Sequence, residues 1–203
     1  MKQKTSVVGI TGPSGAGKSA LGSFLTEMGY PCIDADAVYH TLLIPPSPCL
    51  DAIRLAFGNG VMTPEGGLDR KALGEVVFHN AEKLELLNRT VLPCVLDEIR
   101  RQIAALAEDG ASLIFVDAPT LIESGFHKEC DTVISILAKD TVRVDRIALR
   151  DSLDKEQAYA RIRAQKDDDF YRCHSDHVLF NDGDRDAFLA QARSLLNRLT
   201  ASL

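Results

Sequence analysis

Short apolar runs alternate with amphipathic ones along this chain. Residues 6–10, 32–33, 112–116, 132–137 and 178–180 are rich in Val, Ile, Phe and Leu and alternate poorly between apolar and polar. That pattern predicts strands covered on both faces, as in a parallel sheet. Helical periodicity opens at Lys18 and gives way near Gly29, and a second helical segment spans 36–43 before Pro45-Pro46. Asp69 is placed to cap a helix over 70–78, and Asn80 one that begins at Ala81. Leu84, Leu87 and Val91 continue at helical spacing until Pro93, which is expected to interrupt the helix. A further helix then carries Val95, Ile99, Ile103 and Leu106 on one stripe.

Strand and helix in alternation predict an α/β fold, three-layered with a mostly parallel central sheet. Two helical excursions interrupt it. The stretch 39–109 is too long and too helical for a connection and predicts an inserted subdomain. The stretch 142–171, helical and rich in arginine, predicts a second one. The core is then assembled from 1–38, 110–141 and 172–203, and 203 residues suffice for one such core with insertions.

Composition narrows the class. Charged residues at 26% and hydrophobic ones at 45% fit an ordinary globular chain rather than a disordered one. A net charge of -6 argues against broad affinity for nucleic acid or an anionic membrane. No apolar run approaches bilayer-spanning length. Lys2 and Lys4 precede only a short apolar run that breaks at Gly12-Pro13, which argues against a signal peptide. Five scattered cysteines with no CxxC pair argue against a disulfide framework and for a reducing, cytoplasmic compartment. Cys173, His174 and His177 have a metal-like spacing but no second cluster to complete a site, so they are read as surface or helix-end residues. The run Asp167-Asp168-Asp169 is read as a solvated turn.

The candidate chemistry begins at Gly12-Pro13-Ser14-Gly15-Ala16-Gly17-Lys18-Ser19, which satisfies G-x-x-x-x-G-K-[ST] between a predicted strand and a predicted helix. Glycines let successive backbone N–H groups curl toward phosphate oxygens, and the helix adds its positive end. Lys18 would reach the β- and γ-phosphates, and the Ser19 hydroxyl would ligate Mg2+. Asp34 and Asp36 follow the second strand on the ligand-binding edge of an open α/β sheet. Either could accept a proton from an attacking hydroxyl, hold magnesium water or simply cap a helix. Asp117 ends the third strand, where it could fix Mg2+ or cap the turn at Pro119. Arg143, Arg146 and Arg150 share one helix face at i, i+3 and i+7, and Arg161 and Gln165 share another. A mobile lid that brings guanidinium groups onto a transferring phosphoryl needs such an arrangement. A switch GTPase would also need D-x-x-G and N-K-x-D, and neither occurs.

Taken in order, these segments resemble the dephospho-coenzyme A kinase family over nearly the whole length. They are the loop, "IDAD" (33–36), "LDRKALGEVVF" (68–78), "DAPTLIESG" (117–125), "RIALRD" (146–151), "RIRAQ" (161–165) and "SDHVLFNDG" (175–183). The resemblance implies a P-loop kinase fold with a helical acceptor-binding insert (39–109) and a helical lid (142–171). It implies ATP-dependent phosphorylation of the ribose 3′-hydroxyl of dephospho-coenzyme A, with ATP and Mg2+ as cofactors. Its partners would be these small molecules, with no nucleic acid, membrane or obligate protein partner. By position it assigns Asp36 as base, with Lys18, Arg146 and Arg150 as catalytic groups. Gly12 to Ser19 and Asn181 fall to the nucleotide, Ser19 and Asp117 to the metal, and Asp34, Arg70 and Arg161 to the acceptor. Two departures stand out. Pro13-Ser14 look more like the loop of uridine or cytidylate kinases, and Leu92-Pro93 replace an expected His-Pro. A nucleoside or nucleotide kinase, or a nucleotide-binding regulator without transfer activity, is the alternative reading.

Overall fold

The computed structural model describes residues 5–201. The basic residues Lys2 and Lys4, on which the signal-peptide reading turned, lie outside them. Five strands form one sheet: β1 (Ser6–Thr11), β2 (Cys32–Asp34), β3 (Leu113–Asp117), β4 (Thr132–Leu137) and β5 (His177–Phe180). Their order is β2-β3-β1-β4-β5. Strand β1 runs parallel to both β3 and β4, in register Val8 with Phe115 and Ile10 with Ile134, and β4 runs parallel to β5. The first strand therefore lies at the centre, between the two halves of the sheet. In such sheets the crevice beyond the strand ends at this switch point is where ligands bind.

The apolar runs become strands buried almost without break: Leu113 to Val116 and Val133 to Leu137 are all buried. Alternate side chains serve opposite faces. On one face Val8, Ile10, Phe115, Ile134, Ile136 and Leu179 pack against two helices, α1 (Lys18–Glu27) and α9 (Arg185–Ala201), through Leu21, Phe24, Leu25, Phe188 and Leu195. Leu137, next to Ile136, points the other way and meets Ile122 and Tyr171. That second layer includes α8 (Asp168–Cys173). Helix α1 ends where predicted, with the Met28 and Gly29 N–H groups bonded to the Phe24 and Thr26 carbonyls.

By packing, Asp34–Ala104 forms one unit and the remaining described residues the other. The first unit holds α2 (Ala35–Leu42), α3 (Pro48–Phe57), α4 (Arg70–Val77) and most of α5 (Ala81–Glu108). Asp69 caps α4 by accepting the Lys71 and Ala72 N–H groups, and Asn80 Oδ1 accepts from Lys83 N–H. The sequence led us to expect an interruption at Pro93, and there is none: α5 runs through the proline, 28 residues in all. Leu87, Val91 and Cys94 flank the proline and pack on the cluster of Leu50, Ile53 and Leu73. Burial on both sides thus offsets the roughly 3 kcal/mol that an internal proline costs a helix.

In the other unit, α6 (Asp140–Asp151) and α7 (Lys155–Arg163) follow β4 and pair through Val144, Ile147, Ala158 and Ile162. The acidic run after them works locally, since Asp167 caps α8 by accepting the Phe170 N–H. The Cys173–His177 segment ends that helix and ties it to β4. Cys173 closes α8, His174 Nδ1 bonds to the Phe170 carbonyl, and Asp176 Oδ2 accepts the Val133 N–H.

Candidate active site

Residues 12–17 join β1 to α1 and curl over the ends of β4 and β5. The Gly12 φ is +139°, and a Cβ there would fall 2.3 Å from the Ile136 carbonyl oxygen. The Gly17 φ is +108°, and a Cβ there would fall 2.0 Å from Asn181 Nδ2. Both positions demand a backbone that L side chains rarely adopt, and neither has room for one. Lys18 Nζ donates to the Gly12 carbonyl at 2.8 Å, so the lysine folds back along the loop it follows. The first turn of α1 carries no acidic residue, so nothing there opposes an anion at the helix's positive end. Ser19 lies exposed in that turn.

An asparagine and three arginines hold the loop from outside. Asn181, buried just beyond β5, donates Nδ2–H to the Ala16 carbonyl at 2.8 Å and accepts from Arg146 at 3.1 Å. Arg146 also donates to the Gly15 and Ala16 carbonyls, at 3.1 and 3.4 Å. Arg150 donates to the Ser14 hydroxyl at 3.2 Å and to Asp151. The third arginine on this face, Arg143, has only 4% of its side chain exposed. Its Nε donates to the Ser14 carbonyl, and its other nitrogens reach Asp140 and Gln165. All three arginines of the predicted face do meet the loop, and they meet it through carbonyl groups and a hydroxyl.

The carboxylates sort by local structure. Asp34 Oδ1 accepts the N–H groups of Asp36 and Ala37 at 2.8 and 3.1 Å and caps α2. Asp36 stands exposed in the first turn of that helix. Asp117 ends β3, paired in register with Ile10 one residue before the loop strand ends. Among the remaining candidates, Arg70 lies 3.2 Å from His40 Nδ1. Arg161 bonds Asp151, whose carboxyl is held below the usual aspartate range by Arg150 first and then by Arg161. The Gln165 contact with the loop spans 151 residues of sequence, and only its helical offset from Arg161 hinted that it faced anything.

A parallel sheet of this order, with a glycine loop leaving the central strand for a helix and arginines of the next helical pair upon it, defines a P-loop kinase. The family model for dephospho-CoA kinase (CoaE) matches residues 6–186. The chain is 36% identical over 188 residues to the dephospho-CoA kinase of Symbiobacterium thermophilum, covering 93% of this chain and 79% of that one. Among solved structures, TT1252 from Thermus thermophilus aligns with a TM-score of 0.80 at 30% identity, over 97% of this chain and 98% of that one. The dephospho-CoA kinase from Campylobacter jejuni aligns with a TM-score of 0.72 at 26% identity, with the same coverage. The chain belongs to the dephospho-CoA kinase family.

Proposed function

We propose that this kinase transfers the γ-phosphoryl of ATP to the ribose 3′-hydroxyl of dephospho-coenzyme A, the last step of coenzyme A synthesis. The observation that carries this reading is the phosphate loop, fixed in a conformation only glycines allow, with Lys18 and the α6 arginines converging on it. The loop N–H groups and Lys18 bind and orient the β- and γ-phosphates. Asp34 gives one oxygen, Oδ1, to its helix cap, and Asp36 is the carboxylate that takes the proton of the attacking hydroxyl. That oxygen bonds to phosphorus as the bond to ADP breaks. Arg146 and Arg150 stabilise charge on the transferred group, with Arg150 at the Ser14 edge of the loop.

The hard oxygen donors at Ser19 and Asp117 suit Mg2+. When bound there, that ion would neutralise negative charge on the nucleotide's phosphates. Arg70, steadied by His40, and Arg161, steadied by Asp151, are the cations assigned with Asp34 to the acceptor. Asn181 shapes the nucleotide site through the Ala16 carbonyl. In this reading 39–109 receives the acceptor and 142–171 works as a lid. Free thiols at all five cysteines fit a cytoplasmic setting.

The test is ADP release with ATP, Mg2+ and an acceptor panel of dephospho-coenzyme A, uridine and cytidylate. Turnover is expected with dephospho-coenzyme A, and turnover with uridine or cytidylate alone would overturn the reading. Asp36→Asn should lower kcat by about 10²–10⁴-fold, the usual worth of a general base, and leave ATP affinity nearly unchanged. A wild-type rate would remove Asp36 from proton transfer.

A further inference from the structure

The loop is held from outside by one more device, which runs through its tip at Ser14. Gln165 lies just past the end of α7, where its N–H closes the last turn on the Ile162 carbonyl. Its side-chain oxygen accepts two hydrogen bonds, from the Ser14 N–H at 3.1 Å and from Arg143 Nη2 at 2.8 Å. Arg143 Nε in turn donates to the Ser14 carbonyl at 3.0 Å. The three residues close a ring in which both backbone polar groups of Ser14 are tied down. Asp140 balances the Arg143 charge at 2.9 Å.

We infer that Gln165 and Arg143 are positioning residues for the phosphate loop, and that the Gln165 carbonyl oxygen is what the ring depends on. Ser14 sits two residues past Gly12 and one before Gly15, in the stretch whose backbone is freest to change conformation. A phosphate site works only if its inward N–H groups are already aimed, because an ordered loop need not be ordered by the ligand. The ring fixes the Ser14 peptide groups outward against Gln165 and Arg143, which sets the path of the neighbouring peptides. It also ties the end of the α6–α7 pair to the loop, so displacement of that pair would release Ser14. Gln165 touches no substrate in this account and acts only through Ser14 and Arg143.

The acceptor chemistry makes a sharp test possible. Gln165→Leu keeps the size and removes the oxygen, whereas Gln165→Glu keeps an oxygen in the same place and faces Arg143 with it. The proposal rests on the kinase reading only for what the loop is used for. The first readout is therefore the hydrogen-exchange rate of the Ser14 amide in the full chain without nucleotide, followed by NMR. Exchange should quicken at least tenfold in Gln165→Leu and return to within about threefold of wild type in Gln165→Glu. The second is binding of a fluorescent ATP analogue, expected to weaken about tenfold in Leu and to recover in Glu. The third is the kinetic split with dephospho-coenzyme A, where KM for ATP should rise in Leu and KM for the acceptor stay within twofold. Unchanged Ser14 exchange in Gln165→Leu overturns the proposal, as does equal impairment of the Leu and Glu variants. Wild-type protein that binds the ATP analogue but does not turn over dephospho-coenzyme A would instead overturn the acceptor assignment, while the exchange and binding comparisons would still judge the ring.

Discussion

Replacing Gly17 by alanine asks the loop to accept one methyl group. Two penalties arise. The first is backbone strain, because φ is +108° there and a side chain at such an angle costs roughly 1–2 kcal/mol. The second is the collision at 2.0 Å with Asn181 Nδ2, which forces a buried amide away from the Ala16 carbonyl and from Arg146. Two hydrogen bonds at about 1 kcal/mol each bring the sum to about 3–4 kcal/mol. For a chain of this size, 1 kcal/mol shifts Tm by about 2–4 °C, so a fall of about 10 °C is expected by calorimetry. The two penalties separate in a double-mutant cycle. Once Asn181→Ala has removed the obstacle, Gly17→Ala should cost only the strain, roughly 1–2 kcal/mol. A Tm within 2 °C of wild type for Gly17→Ala, or an equal cost in both backgrounds, would refute this account.

Two further outcomes follow from titratable groups. Burial pushes the Cys130 thiol up to about 12, while Cys173 is exposed at the end of α8. A thiol reagent at pH 8 should label Cys173 fast and Cys130 slowly, and Cys173→Ser should abolish the fast phase; rapid modification of Cys130 would contradict the packing. Asp151, paired with Arg150 and Arg161, has its folded pKa depressed. Its pairing therefore stabilises α6 and α7 above the unfolded aspartate value of about 3.9 and is lost as pH falls through the lower, folded value. A carboxyl NMR titration should place Asp151 below that value and Arg161→Ala should move it upward; an ordinary midpoint in the wild type would break the argument.

How much of this could be read from the residues depended on the range of the interactions. The strands β1, β3 and β4 emerge within a residue of the apolar runs, because burial on both faces writes a continuous hydrophobic signal, and the less buried β5 emerges as closely. The caps at Asp69 and Asn80 were equally plain, since each is satisfied by neighbours a few residues away, and the loop at Gly12–Ser19 was plain from its glycine spacing. Helix α9 left a stripe of Phe188, Ala192, Leu195 and Leu196 that went unread. The proline at 93 was misread because local propensity says nothing about what the flanking turns bury.

The phosphate site divides along the same line. Sequence by itself determined that a glycine loop follows a strand and opens a helix, and that arginines share one face of a later helix. Those are periodicities and backbone requirements carried by adjacent residues. Only the tertiary structure decided that Asn181 fills the space where Gly17 would bear a methyl group. It alone showed Arg143 and Gln165 gripping Ser14 across more than a hundred residues. Such contacts depend on which strands lie side by side, and that order is set by the packing of the whole sheet, which no local pattern records.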